Sequence, residues 1–243
     1  LTEVLRANYG WQSAVRLPAA LTMISFFVAA SLCRVEVAPS EKPPALITSL
    51  RSALGSSRLR LFTIGAFLSS IAVSTLLVFQ VPTMTAAGVS TATAALLASV
   101  RGLMQLAGRI PLVSAIEKFT ALRLIIVSRF VLGVSALFLL GSGNLAFAIM
   151  YIVFAGITIG ALSALDGVAA RGIVQPEVFG TVMGGIGLIT TLGGAIGPIF
   201  AGWLKTAFDS SIAPITIVCI TACSAAIVFS LQPSDEQQPR MRN

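Results

Sequence analysis

Three polar residues follow one face of an otherwise apolar segment, and their types and spacing point to recognition of an anion. Arg101, Gln105 and Arg109 are four residues apart, which places them on the same side of an α-helix. Arg101 lies about nine residues inside the apolar segment 92–116, near the middle of a membrane span. A charge at that depth is costly, so it should face a cavity or a partner. A guanidinium there can bind a carboxylate, or it can serve only to stabilise the helix bundle.

A second group of charged residues falls near one end of the apolar segments. Asp166 lies late in segment 145–170, five residues before Arg171. A carboxylate inside a membrane can load and release protons, which is the chemistry of proton coupling. Its depth favours instead a gate or an ion pair with a neighbouring arginine. Arg171, Arg109 and Glu117 belong to the same end of the molecule and are further candidates for coupling or gating.

Other residues of the apolar segments suggest cavity lining or helix packing. Gln80 lies towards the outer end of its segment and is a candidate for the cavity mouth. Arg129 can snorkel to the membrane interface, and we assign it no role. Gly184, Gly193 and Gly197 belong to a glycine-rich segment, where small residues allow close helix packing. Glycines of this kind can also mark the moving, substrate-lining helices of a transporter, so both interpretations stay open.

The composition indicates that lipid surrounds most of the chain. Of its 243 residues 56% are hydrophobic and only 10% are charged, whereas a soluble domain carries about 25% charged residues. The net charge of +7 comes mostly from short loops, as membrane orientation requires, and does not indicate nucleic-acid binding. The chain has no His, and its three Cys fall in apolar runs, so we expect no metal site and no cofactor.

About seven apolar segments are long enough for membrane helices, which need about 20 mostly apolar residues each. They cover residues 11–33, 61–83, 92–116, 122–140, 145–170, 179–204 and 212–231. The predicted fold is therefore an all-α polytopic transmembrane helical bundle. Its predicted parts are a first helix within 1–33, a linker at 34–60, a six-helix bundle at 61–231 and a polar tail at 232–243.

The distribution of basic residues predicts the orientation of these spans. Five Lys or Arg residues lie in the linker, and most of the others fall on the same side of the membrane. The opposite side carries Arg6 and Lys205. Because cytoplasmic loops are enriched in Lys and Arg, the linker and the tail should face the cytoplasm across a plasma or inner membrane.

Several short motifs in and between the spans share the pattern of one protein family. They are residues 9–12 (YGWQ) and 202–204 (GWL), the loop elements 108–109 (GR), 117–119 (EKF) and 122–123 (LR), and residues 193–198 (GGAIGP). These motifs resemble those around the sixth, twelfth, eighth, ninth and eleventh helices of the major facilitator superfamily. Thr120 stands where the family's loop signature has Gly. The resemblance covers essentially the whole chain.

The resemblance implies a secondary transporter that moves a small solute by alternating access. The chain would supply the last helix of the N-terminal half, the linker and the C-terminal half. Since it begins at Leu1 and not at Met, we expect the rest of the N-terminal half to lie upstream and to complete the cavity. Monocarboxylate- and oxalate-type porters of this family carry an embedded Arg on the eighth helix, which corresponds to Arg101. The expected partners are the bilayer, a small anionic solute, protons and the missing half.

Three alternatives are weighed against an anion transporter. An efflux permease for hydrophobic or cationic compounds would need an acid at the midplane, and this chain has none there. A membrane enzyme is disfavoured because the chain lacks His, midplane carboxylate pairs and a nucleophile–base set. A membrane protein of the same fold that does not transport is the third alternative.

Overall fold

The computed structural model describes residues 12, 16, 19–28, 31–32, 55–174 and 176–232. The chain divides into two units, Leu1–Pro43 and Pro44–Asn243. In the first unit, the apolar helix Ala19–Val28 lies within the predicted span 11–33. Most of the predicted linker and nearly all of the tail lie outside the described residues.

The described part of the second unit is helical, with short connections between helices. Its α-helices are α1 (Ser57–Ala86), α2 (Thr91–Arg109), α3 (Leu112–Lys118), α4 (Ala121–Leu140), α5 (Leu145–Arg171), α6 (Phe179–Ala207) and α7 (Ala213–Ser230). A short 3₁₀ helix, Pro176–Val178, precedes α6. The prediction of an all-α helical bundle is thus confirmed.

Side-chain caps set where several of these helices begin. The side chains of Ser56, Ser90, Thr120 and Asn144 accept backbone N–H groups in the first turns of α1, α2, α4 and α5. Each cap satisfies a donor that the helix itself leaves without a partner. Between α1 and α2, Gly88 has a φ of 92°, which a residue with a side chain rarely adopts.

The predicted third span, 92–116, is wrong as a single helix. The structure has two helices here, because α2 ends at Arg109 and α3 begins at Leu112. Pro111 stands between them; it lacks the backbone N–H that would continue the helix, and its ring clashes with the carbonyl four residues earlier. The break turns the chain before it enters α4.

The helices of the second unit pack in a regular order. α1 packs on α6 and α7, α5 packs on α2 and α4, and α4 packs on α7. If α1 is exchanged with α5, α2 with α6 and α4 with α7, the same pairs of helices remain in contact. Since α1 and α5 start from opposite ends of the bundle, the arrangement matches the inverted repeats found in secondary transporters.

Five helices in the described part are long and apolar enough to cross a membrane, namely α1, α4, α5, α6 and α7. The other two predicted spans are 11–33, part of which lies outside the described residues, and 92–116. α2 has 19 residues, a length of about 28 Å, but it is less apolar because it carries Arg101, Gln105 and Arg109.

The two ends of the bundle differ in charge. At one end, here called the linker end, α1 begins and α2 finishes; at the other, the hairpin end, α1 turns into α2 and α6 into α7. The basic residues at the linker end include Arg58, Arg60, Lys118, Arg123 and Arg171. At the hairpin end, the basic residue among those described is Lys205.

Candidate functional site

Arg101 lies near the middle of α2 and is only 7% exposed. Its Nε donates a hydrogen bond to the Oε1 atom of Gln80 on α1, at 2.9 Å. The hydroxyl of Tyr151 on α5 donates to the same Oε1 atom, at 3.0 Å. Side chains of three helices thus meet at one side-chain carbonyl, which holds the Nε end of the guanidinium.

The guanidinium of Arg101 has no carboxylate partner among the described residues. Its Nη1 is buried and makes no hydrogen bond within that part of the chain, and Gln80 is uncharged. A buried cation without a counter-charge is costly. The remaining edge of the guanidinium has the donor geometry that a carboxylate or a phosphate requires.

The predicted stripe of Arg101, Gln105 and Arg109 does not form one site. Gln105 is half-buried, and its side chain makes no hydrogen bond with a described residue. Arg109 is exposed at the linker end, about 12 Å along the helix from Arg101. There its Nη2 donates to Ser163 Oγ at 3.2 Å.

A second buried arginine, Arg129 on α4, pairs with Asp166 on α5. Arg129 Nη2 lies 2.7 Å from Asp166 Oδ1, with the arginine side chain 0% exposed and the aspartate side chain 33% exposed. The guanidinium carbon of Arg129 also lies 4.2 Å from the ring centroid of Phe229 on α7, within the range of a cation–π contact.

This pair bears on two expectations from the sequence. Arg129 does not snorkel to an interface, because it lies on the face of α4 that packs against α5 and α7. The arginine that forms an ion pair with Asp166 is Arg129, whereas Arg171 is exposed at the end of α5. Glu117, on the short helix α3, is also exposed and forms no ion pair with a described residue.

The glycines expected at helix contacts differ in their surroundings. A Cβ atom at Gly193 would lie 2.9 Å from the Phe67 carbonyl oxygen, and one at Gly197 would lie 2.9 Å from the Ile71 carbonyl oxygen, so α6 approaches the backbone of α1 closely. A Cβ atom at Gly184 would meet no atom within 4 Å. Gly184 therefore plays no packing role within the described residues.

The closest contact between α2 and α5 involves glycines that were not predicted to belong to the site. A Cβ atom at Gly160 would overlap the backbone carbonyl of Gln105, and one at Gly156 would lie 2.7 Å from the carbonyl oxygen of Arg101. Small residues four apart on α5 thus let α2 lie against it. This contact holds Arg101 within reach of Tyr151 and Gln80.

Tyr151 is the residue of the cluster that sequence analysis missed. It is fully buried, and a buried Tyr hydroxyl normally finds a hydrogen-bond partner. A tyrosine six residues inside the apolar helix α5 was therefore a usable signal.

The family comparison agrees with this architecture. The family model of the Major Facilitator Superfamily matches residues 62–242, which is most of the chain and includes α2 to α7 entirely. No curated protein matches the chain. Together with the five membrane-crossing helices, the match shows that this integral, multi-pass membrane protein belongs to the Major Facilitator Superfamily and is a membrane transporter of that kind.

Proposed function

We propose that the chain supplies the C-terminal half of a secondary transporter for a small organic anion and works by alternating access. The observation that carries the proposal is Arg101, a buried guanidinium with no carboxylate partner among the described residues. A transporter gains from such a residue because the solute provides the missing counter-charge when it binds.

Gln80 and Tyr151 act in this proposal as positioning residues. The Oε1 atom of Gln80 already accepts two hydrogen bonds, and its Nε2 donates to the Leu77 carbonyl at 3.1 Å. Gln80 therefore has little hydrogen-bonding capacity left for a solute. Its role is to hold Nε of Arg101 so that the Nη atoms face the solute.

The other half of the cavity would come from the N-terminal half of the transporter. Substrate sites in this superfamily lie near the midplane, at the interface between repeats, and the described helices supply one set of inverted repeats. We accordingly expect the chain alone not to transport. Uptake of solute by liposomes that contain only this chain would overturn that expectation.

Proton coupling through Asp166 is less well supported than a structural role. Protonation of Asp166 would leave the guanidinium of Arg129, which is wholly buried, without its counter-charge. We therefore propose that the pair joins α4 to α5. The excess of basic residues at the linker end supports a cytoplasmic location for that end in a plasma or inner membrane.

A thermal-shift screen of the complete transporter in detergent tests the proposal. Carboxylates, sugars and cationic drugs are compared on the wild type, Arg101→Gln and Arg109→Gln. Arg109 is the matched control, because it lies on the same helix but is exposed at the linker end.

A ligand at about 100 times its Kd stabilises the folded protein by about 2.7 kcal/mol. We expect carboxylates to stabilise the wild type and Arg109→Gln but not Arg101→Gln. Equal stabilisation of all three proteins by cationic drugs, with no effect of carboxylates, would instead support the efflux alternative.

A further inference from the structure

An apolar groove opens between α6 and α7 towards the hairpin end. α1 forms its floor, and its volume is about 680 Å³, within the range of about 300–1,000 Å³ that ligand pockets occupy. The residues that form most of its wall are Ile71, Ile196, Phe200, Phe208, Ile217 and Ile220. None of the lining residues belongs to α2 or α5, the helices that carry Arg101 and Tyr151.

The hydroxyl groups that line the groove are already hydrogen-bonded to nearby backbone. Thr216 Oγ1 donates to the Ile212 carbonyl and Thr221 Oγ1 donates to the Ile217 carbonyl. Ser210 Oγ accepts the N–H of Ile212. The donors of both threonines are thus in use, and a polar solute would gain few partners for the water it loses, whereas an alkyl chain would bury apolar surface at no such cost.

The length of the groove matches one leaflet of a bilayer. From Ile196 to Phe208 it follows α6 for about 18 Å, and one leaflet contributes about 15 Å of hydrocarbon. It runs from the middle of α6 to the hairpin end, the direction in which a lipid chain would lie. We propose that the groove binds one acyl chain of a phospholipid from the leaflet at the hairpin end.

Two charged residues lie in the last turn of α6 and just after it, at the hairpin end where the groove finishes, and their charges suit the headgroup of a zwitterionic phospholipid. Lys205 follows the groove residue Leu204, and its Nζ lies 5.9 Å from the ring centroid of Phe79. Asp209 lies between the groove residues Phe208 and Ser210 and is exposed. Neither side chain forms an ion pair with a described residue. Lys205 can therefore meet the phosphate, and Asp209 the quaternary ammonium, of a phosphocholine headgroup.

Photolabelling of the complete transporter in bilayer nanodiscs tests the acyl-chain site. The probe is a phosphocholine lipid with a photoactivatable acyl chain, and labelled residues are mapped by mass spectrometry. Wild type is compared with Ile220→Trp, which fills the groove, and with Ile227→Trp. Ile227 is the matched control, since the two residues lie on α7 and are 60% and 61% exposed.

We expect labelling to concentrate on groove residues of α6 and α7 in the wild type and in Ile227→Trp. Ile220→Trp should reduce it about tenfold, as exclusion of about two methylene groups predicts. Equal labelling of the groove and of the exposed α4 residues Val127 and Phe130 would overturn the proposal. Crosslinks from the groove to another protein segment, with no lipid label, would also overturn it.

The headgroup contact has its own test in the same system. Lys205→Gln should remove the preference for the phosphocholine probe over an uncharged diacylglycerol probe, while Lys118→Gln, at the linker end, should keep it. An unchanged preference in Lys205→Gln would overturn the assignment of the phosphate to Lys205.

Discussion

Two arginines lie buried in the same helix bundle, and their neighbours differ in charge. Arg129 lies between α4, α5 and α7, with Asp166 at 2.7 Å and the Phe229 ring against its guanidinium. Arg101 lies between α1, α2 and α5 and is bonded to the neutral side chain of Gln80. Both are almost inaccessible, so burial alone does not distinguish them.

Under the proposed function, the difference separates a structural cation from one that binds the solute. Arg129 has a counter-charge and an aromatic face, so its positive charge is already compensated. Arg101 has neither among the described residues, and an anionic solute can supply the missing partner. The predictions that follow test this contrast.

Loss of Arg129 should have the largest effect on stability. Arg129→Met leaves Asp166 without its partner inside the bundle. We expect the free energy of unfolding to fall by about 3 kcal/mol, the lower end for a broken buried pair, because Asp166 is one-third exposed. Thermal unfolding of the complete transporter in detergent measures this change.

Removal of both partners should recover most of the stability that Arg129→Met loses. The double variant Arg129→Met/Asp166→Leu contains no unpaired charge at this position, and apolar replacement of a buried ion pair is often neutral. If the double variant were as unstable as Arg129→Met, the pair would not be the reason for the loss.

Enlargement of Gly160 should displace α2 and, with it, Arg101. Gly160→Val places a side chain against the backbone carbonyl of Gln105, and overpacking of this kind costs about 2 kcal/mol. Gly167→Val is the control on the same helix, because a Cβ atom there meets no atom within 4 Å. Similar unfolding temperatures for the two variants would contradict the close α2–α5 contact.

Removal of the Arg101 charge should change stability least among the charged positions. Arg101→Gln deletes a buried cation that has no counter-charge, so we expect the free energy of unfolding to change by less than about 1 kcal/mol. A loss as large as that of Arg129→Met, measured in the same detergent, would indicate that Arg101 also is structural.

The smallest effect on solute binding is expected from Tyr151→Phe. This substitution deletes one hydrogen bond to Gln80, worth about 1 kcal/mol. Gln80 then holds Arg101 less firmly, and carboxylate binding should weaken about fivefold. Calorimetric titration of the purified transporter measures this, and unchanged affinity would remove Tyr151 from the positioning of Arg101.

The helices were largely predictable, whereas the partners of the charged residues were not. The predicted spans 122–140, 145–170 and 212–231 differ from α4, α5 and α7 by about one residue at each end, because the length of an apolar run is a local property. Pro111 was also a local signal for a helix break, but the apolar residues on either side of it favoured one continuous helix.

The side-chain pairs depend on how each helix is rotated about its axis. Arg129 and Asp166 are 37 residues apart in sequence, and Gln80 and Tyr151 are 71 apart. These helices are apolar on every face, so their sequences carry little information on which face points inwards. Arg101 was predictable as a site because a charge in the middle of a span is costly wherever it points.

The most direct test of the account is carboxylate binding by three forms of the complete transporter. Calorimetric titration compares the wild type, Arg101→Gln and the double variant Arg129→Met/Asp166→Leu, each first shown to be folded. We predict that the wild type and the double variant bind with similar affinity, and that Arg101→Gln binds at least about tenfold more weakly. Equal affinity of Arg101→Gln and the wild type would contradict the account, above all if the double variant had lost binding.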